Sequence, residues 1–363
     1  MTHSENQGIG NLTPAQTLHH VNDIINQNHE KSKGLFMVQT ADDWIEQAKE
    51  RPIPRMLFDE FWFEGELCIL FAENGVGKSL LAVQIANSIS KGIPIAGFRL
   101  QSDKQPVLYF DFELTDKQFE ARYSVNYQHH YNFSPGFLRA EIDPDNTDYK
   151  EHGFDTFEDY LSDELEQNII ETGIRVLIID NVTYLKTETE KAKDALPLMK
   201  RLIQLKRKYK LSILVLAHTP KRDLSQPITR NHLQGSKHLS NLTDSIFAIG
   251  ESQVDSHTRY LKQIKARSCE MQYDTGNVMV CTVHQPHNFV LFEFTGFGTE
   301  REHLKAASEN DSHDLEAEVT PLLQAEPGLT AYAIAKRICP EGGNFNSYKV
   351  RVSRIVKRLS NKQ

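Results

Sequence analysis

Eight residues, Ala72-Glu73-Asn74-Gly75-Val76-Gly77-Lys78-Ser79, set two glycines, a lysine and a hydroxyl at the spacing that grips a polyphosphate. Gly75 and Gly77 let the backbone turn so that its N–H groups face phosphate oxygens, and a helix opening at Lys78-Ser79-Leu80 adds the positive end of its dipole. Lys78 is placed to hold the β- and γ-phosphates and Ser79 to ligate Mg²⁺. Residues Ala72 to Leu80 therefore form the expected ATP-binding loop, with Ala72 standing where the first glycine is more usual. The flanks agree, an apolar run Leu67–Phe71 before the loop and a helical run Leu80–Ser90 after it.

Hydrolysis also needs a carboxylate to order the metal and a group to position water. The apolar run Arg175-Val-Leu-Ile-Ile-Asp180 ends in an acid at the carboxyl end of a strand, where ligands of open α/β sheets bind, so Asp180 joins Ser79 as expected metal ligand. Asn181 follows, so the water-positioning acid must come from elsewhere. Val107-Leu-Tyr-Phe-Asp-Phe-Glu113 supplies Glu113, with Asp111 as the alternative. A fourth apolar run, Ile213 to Ala217, ends in His218, which either senses the γ-phosphate or is an ordinary strand-end histidine.

The elements that must position these groups follow from periodicity. Strands are expected at Leu67–Phe71, Val107–Phe112, Val176–Asp180, Ile213–His218, Ser245–Ile249, Tyr260–Lys265, Asn277–Val283 and Phe289–Glu293. Helical spacers separate the early ones and none separates the last. The fold class expected is α/β, a doubly wound, mostly parallel sheet with antiparallel edge strands.

A GKS loop, a strand ending in Asp-Phe-Glu-Leu, one in Ile-Ile-Asp-Asn and one in Ala-His-Thr-Pro-Lys, in this order, resemble RecA-like ATPases. The closest resemblance is to the RepA-type hexameric replicative helicases and their AAA-type relatives on plasmids and mobile elements, over roughly residues 35–295. It implies that Glu113 is the catalytic base, that each ATP site lies between two subunits of a homo-oligomer, a hexamer, and that the neighbour contributes a basic finger. Lys265 and Arg267 share one face of a strand and fit that finger, Arg267 being preferred for its bidentate fork. The resemblance also places a loop that grips single-stranded DNA in a ring pore at residues 219–240, where Lys221, Arg222, Arg230 and Lys237 would contact phosphates.

Composition bounds the rest. Over 363 residues the net charge is −8, which argues against a chain that coats nucleic acid along its whole surface. Glu141–Glu166 holds eleven acids against Lys150 and is expected to be a solvated loop and helix. Four cysteines without close pairs, a polar amino terminus and no long apolar run point to a cytoplasmic protein with no membrane partner. The domains expected are a flexible arm at 1–34, with one possible helix Pro14–Gln27, the ATPase domain at 35–296, a linker at 297–314 and a separate unit at 315–363. That last unit reads as three helices with an apolar set Leu322, Ile334, Ile338, Val352, Ile355, Val356 and Leu359, a helix-turn-helix or winged-helix-like module. Its third helix carries Lys349, Arg351, Arg354, Lys357 and Arg358, expected to touch duplex DNA. Two functions are in view: an Mg²⁺-ATP-driven, helicase-like DNA motor, and an ATP-gated DNA-binding regulator that does not unwind.

Overall fold

The computed structural model describes residues 36–181, 195–233, 236–305, 309–326, 328–339 and 345–360. The helix expected at 14–27 lies outside them. The chain divides after Pro54. In the first unit the described residues carry one helix, α1 (Ala41–Lys49), entered through Thr40, whose hydroxyl accepts the Asp43 N–H at 3.1 Å. No α1 residue is buried.

The second unit is built on a sheet of nine described strands: β1 (Leu67–Ala72), β2 (Val107–Asp111), β3 (Phe137–Ala140), β4 (Val176–Asp180), β5 (Ser212–His218), β6 (Ser245–Glu251), β7 (Thr258–Lys265), β8 (Val278–His284) and β9 (Leu291–Gly298). Their order is β9-β8-β7-β6-β1-β5-β4-β2-β3. From β6 to β3 every pairing is parallel, and β7, β8 and β9 add antiparallel pairings at one edge. This mixed α/β arrangement fits a RecA-like P-loop domain.

The central strands read as unbroken apolar runs because both faces are covered. On β1, Cys68 and Leu70 pack into a core with Leu81, Ile85 and Ile89 of α2 (Lys78–Lys91). Their neighbours Leu67, Ile69 and Phe71 face the other way, into a core with Leu161, Leu165 and Ile169 of α4 (Phe157–Thr172) and Leu202 and Leu205 of α5 (Ala195–Tyr209), the short α3 (Asp116–Arg122) lying between α2 and α4 in the chain. Burial of each such side chain contributes about 1.5–3 kcal/mol. Parallel pairing then brings the carboxyl ends together: Asp111 is in register with Asp180 and Ala72 with His218.

Two expectations need correction. The sheet has an edge strand, β3, beyond the expected ones, and Phe-Leu-Arg-Ala hides it because it is short and carries a charge. Its Arg139 is accommodated there because the guanidinium reaches Asp111 Oδ2 at 2.9 Å. Nor are residues 297–305 a linker. β9 runs to Gly298, a 3₁₀ turn covers Glu300–His303, and Glu300 is fully buried, paired with Lys262. A buried carboxylate held by a buried ammonium fixes this segment to the sheet.

Beyond α6 (Ser236–Leu242) and β9, three helices follow: α7 (Glu309–Ala325), α8 (Ala331–Ile338) and α9 (Phe345–Ser360). Leu315, Val319, Ile334, Ala335, Val352 and Ile355 form their core, with Leu322, Ile338, Val356 and Leu359 packed against it. α7 starts before the expected Leu315, and Thr330 caps α8 by accepting the Ala333 N–H at 3.3 Å. Among the described residues no helix is long and apolar enough to cross a membrane.

Candidate active site

The phosphate loop closes because two of its residues are glycine. Gly75 and Gly77 have φ of 76° and 110°, left-handed values that cost any other residue strain. A Cβ on Gly77 would also lie 2.9 Å from Cζ of Phe292 on β9. Gly77 is the N-cap of α2 and offers no side chain, so the first N–H groups of that helix remain donors toward the loop. The Val76 carbonyl is held from behind by Arg259 Nε on β7 at 3.0 Å. Nothing in the sequence marks Arg259 for this, since it reads as an ordinary polar strand residue.

Lys78 is buried. Its ammonium donates to Ala72 O (3.1 Å), Glu73 O (3.1 Å) and His218 Nδ1 (3.2 Å). Burial lowers its pKa, and the charges of Asp180 and Glu113 work against that lowering. An ammonium can only donate, so His218 Nδ1 accepts, and the imidazole proton sits on Nε2. That nitrogen faces Glu113 Oε1 at 3.1 Å. Asn181 completes the group: its amide donates to Glu113 Oε1 and lies 2.5 Å from His218 Nε2. Hydrogen bonding from His218, aided by the charge of Lys78 and opposed by burial, holds Glu113 below the ordinary carboxylate range. It is ionised at neutral pH and stands at the mouth of the site with its side chain 35% exposed.

Asp111 has a different task. Its Oδ1 accepts the N–H groups of Glu113 (3.1 Å) and Leu114 (2.9 Å), and its Oδ2 accepts Arg139. Both oxygens are spent on anchoring the turn that presents Glu113, so the two sequence alternatives separate into a support and an exposed carboxylate.

Asp180 is fully buried. Tyr109 donates to its Oδ2 at 2.6 Å, whereas Oδ1 is buried with no hydrogen-bond partner. Burial pushes its pKa up to about 6, while the nearby Ser79 hydroxyl and the Tyr109 hydrogen bond pull the other way. An unpartnered buried carboxylate oxygen next to the Ser79 hydroxyl is a donor set that suits a hard divalent cation. Tyr109 orients that set. Tyr109→Phe is expected to raise the Mg²⁺ concentration for half-maximal hydrolysis at pH 7.5 by about tenfold or more. A metal titration of the two proteins checks this, and an unshifted midpoint would remove Tyr109 from the role.

Lys78, Ser79, Glu113 and His218 line one cavity of about 350 Å³ with Asn74, Gly75, Gly77 and Leu80. Arg122 at the end of α3 joins them. It is half-buried, and its guanidinium makes no hydrogen bond or ion pair among the described residues. The signal available in the sequence was its place on a short helix that Thr115 and Gln118 close with a capping box just after Glu113.

The other expected residues lie apart from this cavity. Lys265 and Arg267 are at the opposite end of β1, where Lys265 pairs in register with Ile246 and Ser245 with Cys68. Lys265 Nζ donates to Ser240 O (2.6 Å) and Thr243 O. Lys221 and Arg230 are exposed. Arg222 is not: its side chain is 3% exposed and pairs with Glu73 at 3.4 Å, so it is withdrawn from the expected phosphate contacts. On α9, Lys349 and Lys357 are exposed, and Lys349 lies 5.6 Å from the Tyr332 ring centroid. The side chains of Lys237, Arg351, Arg354 and Arg358 lie outside the described residues.

Compared with known proteins, the sequence profile of the AAA domain family matches residues 35–223, just over half of the 363-residue chain. No curated protein matches it.

Proposed function

We propose, from the premise that this chain belongs to the AAA domain family of P-loop ATPases, that it is an Mg²⁺-ATP-driven, ring-forming, helicase-like motor on DNA, serving replication or mobilisation of a plasmid or mobile element. ATP phosphates would lie on the loop 72–80 with Lys78. Asp180 and Ser79 would hold Mg²⁺, which supplies charge neutralisation of the phosphates. Glu113 takes a hydrogen bond from the attacking water, and His218 and Asn181 hold the carboxylate where it can do so.

One observation carries the motor reading. The basic segment after β5 begins at the catalytic cavity itself: the Thr219 N–H donates to Ala72 O at 3.0 Å, one residue past His218. The residues that would grip a strand, Lys221 and Arg230, are therefore continuous with the phosphate loop. Hexamer formation with a single strand in the pore belongs to this proposal and rests on the resemblance of the phosphate loop and the three strand-end motifs.

The exposed Lys349 and Lys357 on α9 favour the second reading, an ATP-gated regulator that binds duplex through a helix-turn-helix-like unit and does not unwind. A strand-displacement assay separates the two. The motor requires unwinding and hydrolysis stimulated by single strands, both lost in Lys78→Ala. Duplex binding with no unwinding, weakened by Lys357→Ala, supports the regulator instead.

A further inference from the structure

The phosphate loop and the segment after β5 are joined by an ion pair whose arginine side chain is buried and whose glutamate is partly exposed. Glu73, inside the loop, gives its carbonyl to Lys78 at 3.1 Å and its carboxylate to Arg222 Nε at 3.4 Å. Arg222 is shut from solvent, with 3% of its side chain exposed, so it cannot reach a nucleic-acid backbone. Its Nη1 donates to Gln226 O at 3.0 Å, which fixes the turn that follows. The backbone adds a parallel tie from Thr219 N to Ala72 O.

The far end of the same segment is held by the sheet. The Ile228 N–H donates to Glu300 Oε1 at 2.6 Å, and Lys262 on β7 donates to Ile228 O at 2.8 Å while pairing with Glu300. Glu300 and Lys262 are both buried, so this anchor is rigid. Residues 219–228 thus span from a fixed point to a loop whose lysine has its donors committed to Ala72 O, Glu73 O and His218. A triphosphate competes for those donors. When Lys78 turns to phosphate oxygens, the Glu73 peptide loses its partner, and Arg222 is the side chain that feels the change.

We infer that Arg222 is a positioning residue, a buried strut that passes nucleotide occupancy from Glu73 to the exposed cation Lys221 beside it. The inference rests on the proposal that Lys221 and Arg230 face single-stranded DNA, but the strut itself does not require DNA. Two measurements keep the two separable.

The first is hydrogen exchange of amides 219–233 with and without a slowly hydrolysed ATP analogue. The native chain should show a nucleotide-dependent change that Arg222→Met loses and Arg222→Lys partly keeps, with analogue affinity preserved in both variants. Glu73→Gln, which retains the shape of the loop residue, should lose the same change and guards against a variant that folds poorly. No nucleotide-dependent change in the native chain, or the same change in Arg222→Met, overturns the strut.

The second is the affinity for a fluorescent oligothymidine at fixed salt with and without the analogue. A native ratio of about tenfold should collapse toward one in Arg222→Met. If affinity drops equally in both conditions and the ratio survives, Arg222 is a plain DNA contact and the strut is wrong. Loss of the exchange signature in Arg222→Met, in a protein that binds no oligothymidine at all, supports the strut and fails only the DNA reading.

Discussion

Glu113→Gln is expected to slow ATP hydrolysis by about 10²–10⁴ while leaving ATP binding intact. The amide keeps the length of the side chain and an oxygen that can still accept from His218 Nε2 and Asn181, so the wall of the cavity survives. What is lost is the charge. His218 and Lys78 hold the native carboxylate ionised at neutral pH, ready to accept a hydrogen bond and then the proton of an attacking water. The amide cannot take a proton. Nucleotide affinity measured with a fluorescent ATP analogue should match the native chain, and single-turnover rates should not. Brisk hydrolysis by the variant would mean that another group activates water. Asp111 is an unsuitable substitute, because both its oxygens are engaged in supporting the Glu113 turn. Asp180 is no better, since it is fully buried and its site chemistry is that of a cation ligand.

The legibility of this site in the sequence divides along the distance between partners. The phosphate loop, the strand ending in Asp180 and the strand ending in His218 are local patterns, and periodicity located them within a residue or two. The sheet followed, because both-faces-buried strands have a recognisable composition. Asn181 shows where local pattern fails. Read along the chain, it is the place where an expected acid is missing. In the fold its amide donates to Glu113, 68 positions away, and lies beside the ring of His218, 37 positions away. Arg259 and Val76, 183 positions apart, meet in the same way. The buried Glu300 is harder still to read: Phe-Gly-Thr-Glu-Arg-Glu-His has the composition of a loop, and it is the ammonium of Lys262, with the Ile228 N–H and the Tyr260 hydroxyl, that makes its burial tolerable. Arg222 belongs with these. A basic segment reads as a solvent-facing grip until the partner inside the fold is seen.

Arg267→Ala carries the largest expected effect, a fall in hydrolysis of about 10³–10⁵, the range for loss of a transition-state arginine. The placement of Arg267 makes the claim specific. It follows β7, whose Lys265 is in register with Ile246 beside the amino end of β1, while the phosphate loop leaves the carboxyl end. From Cys68 to Ala72 alone is about 13 Å at ~3.3 Å per residue. Arg267 cannot serve its own phosphate loop, so if it acts on ATP it does so on the site of another copy. The two candidate finger residues also differ in availability. Lys265 is committed to the carbonyls at the end of α6, and burial lowers its pKa. Arg267 is 55% exposed and, among the described residues, makes only long contacts, 3.3 Å to Asp244 and 3.5 Å to Asn241 O. Asp244 in turn accepts the Leu67 N–H at 2.9 Å, which ties the base of the finger to the first residue of β1. The decisive measurement mixes two inactive proteins. Arg267→Ala keeps an intact loop and Lys78→Ala keeps an intact finger, so a mixture should recover a fraction of native activity at interfaces that pair one with the other. Native specific activity should likewise rise with protein concentration, and that of Arg267→Ala should stay low at every concentration. Full activity of Arg267→Ala, or mixtures as inactive as their components, would place the transition-state cation within one chain, where Arg122 already lines the cavity.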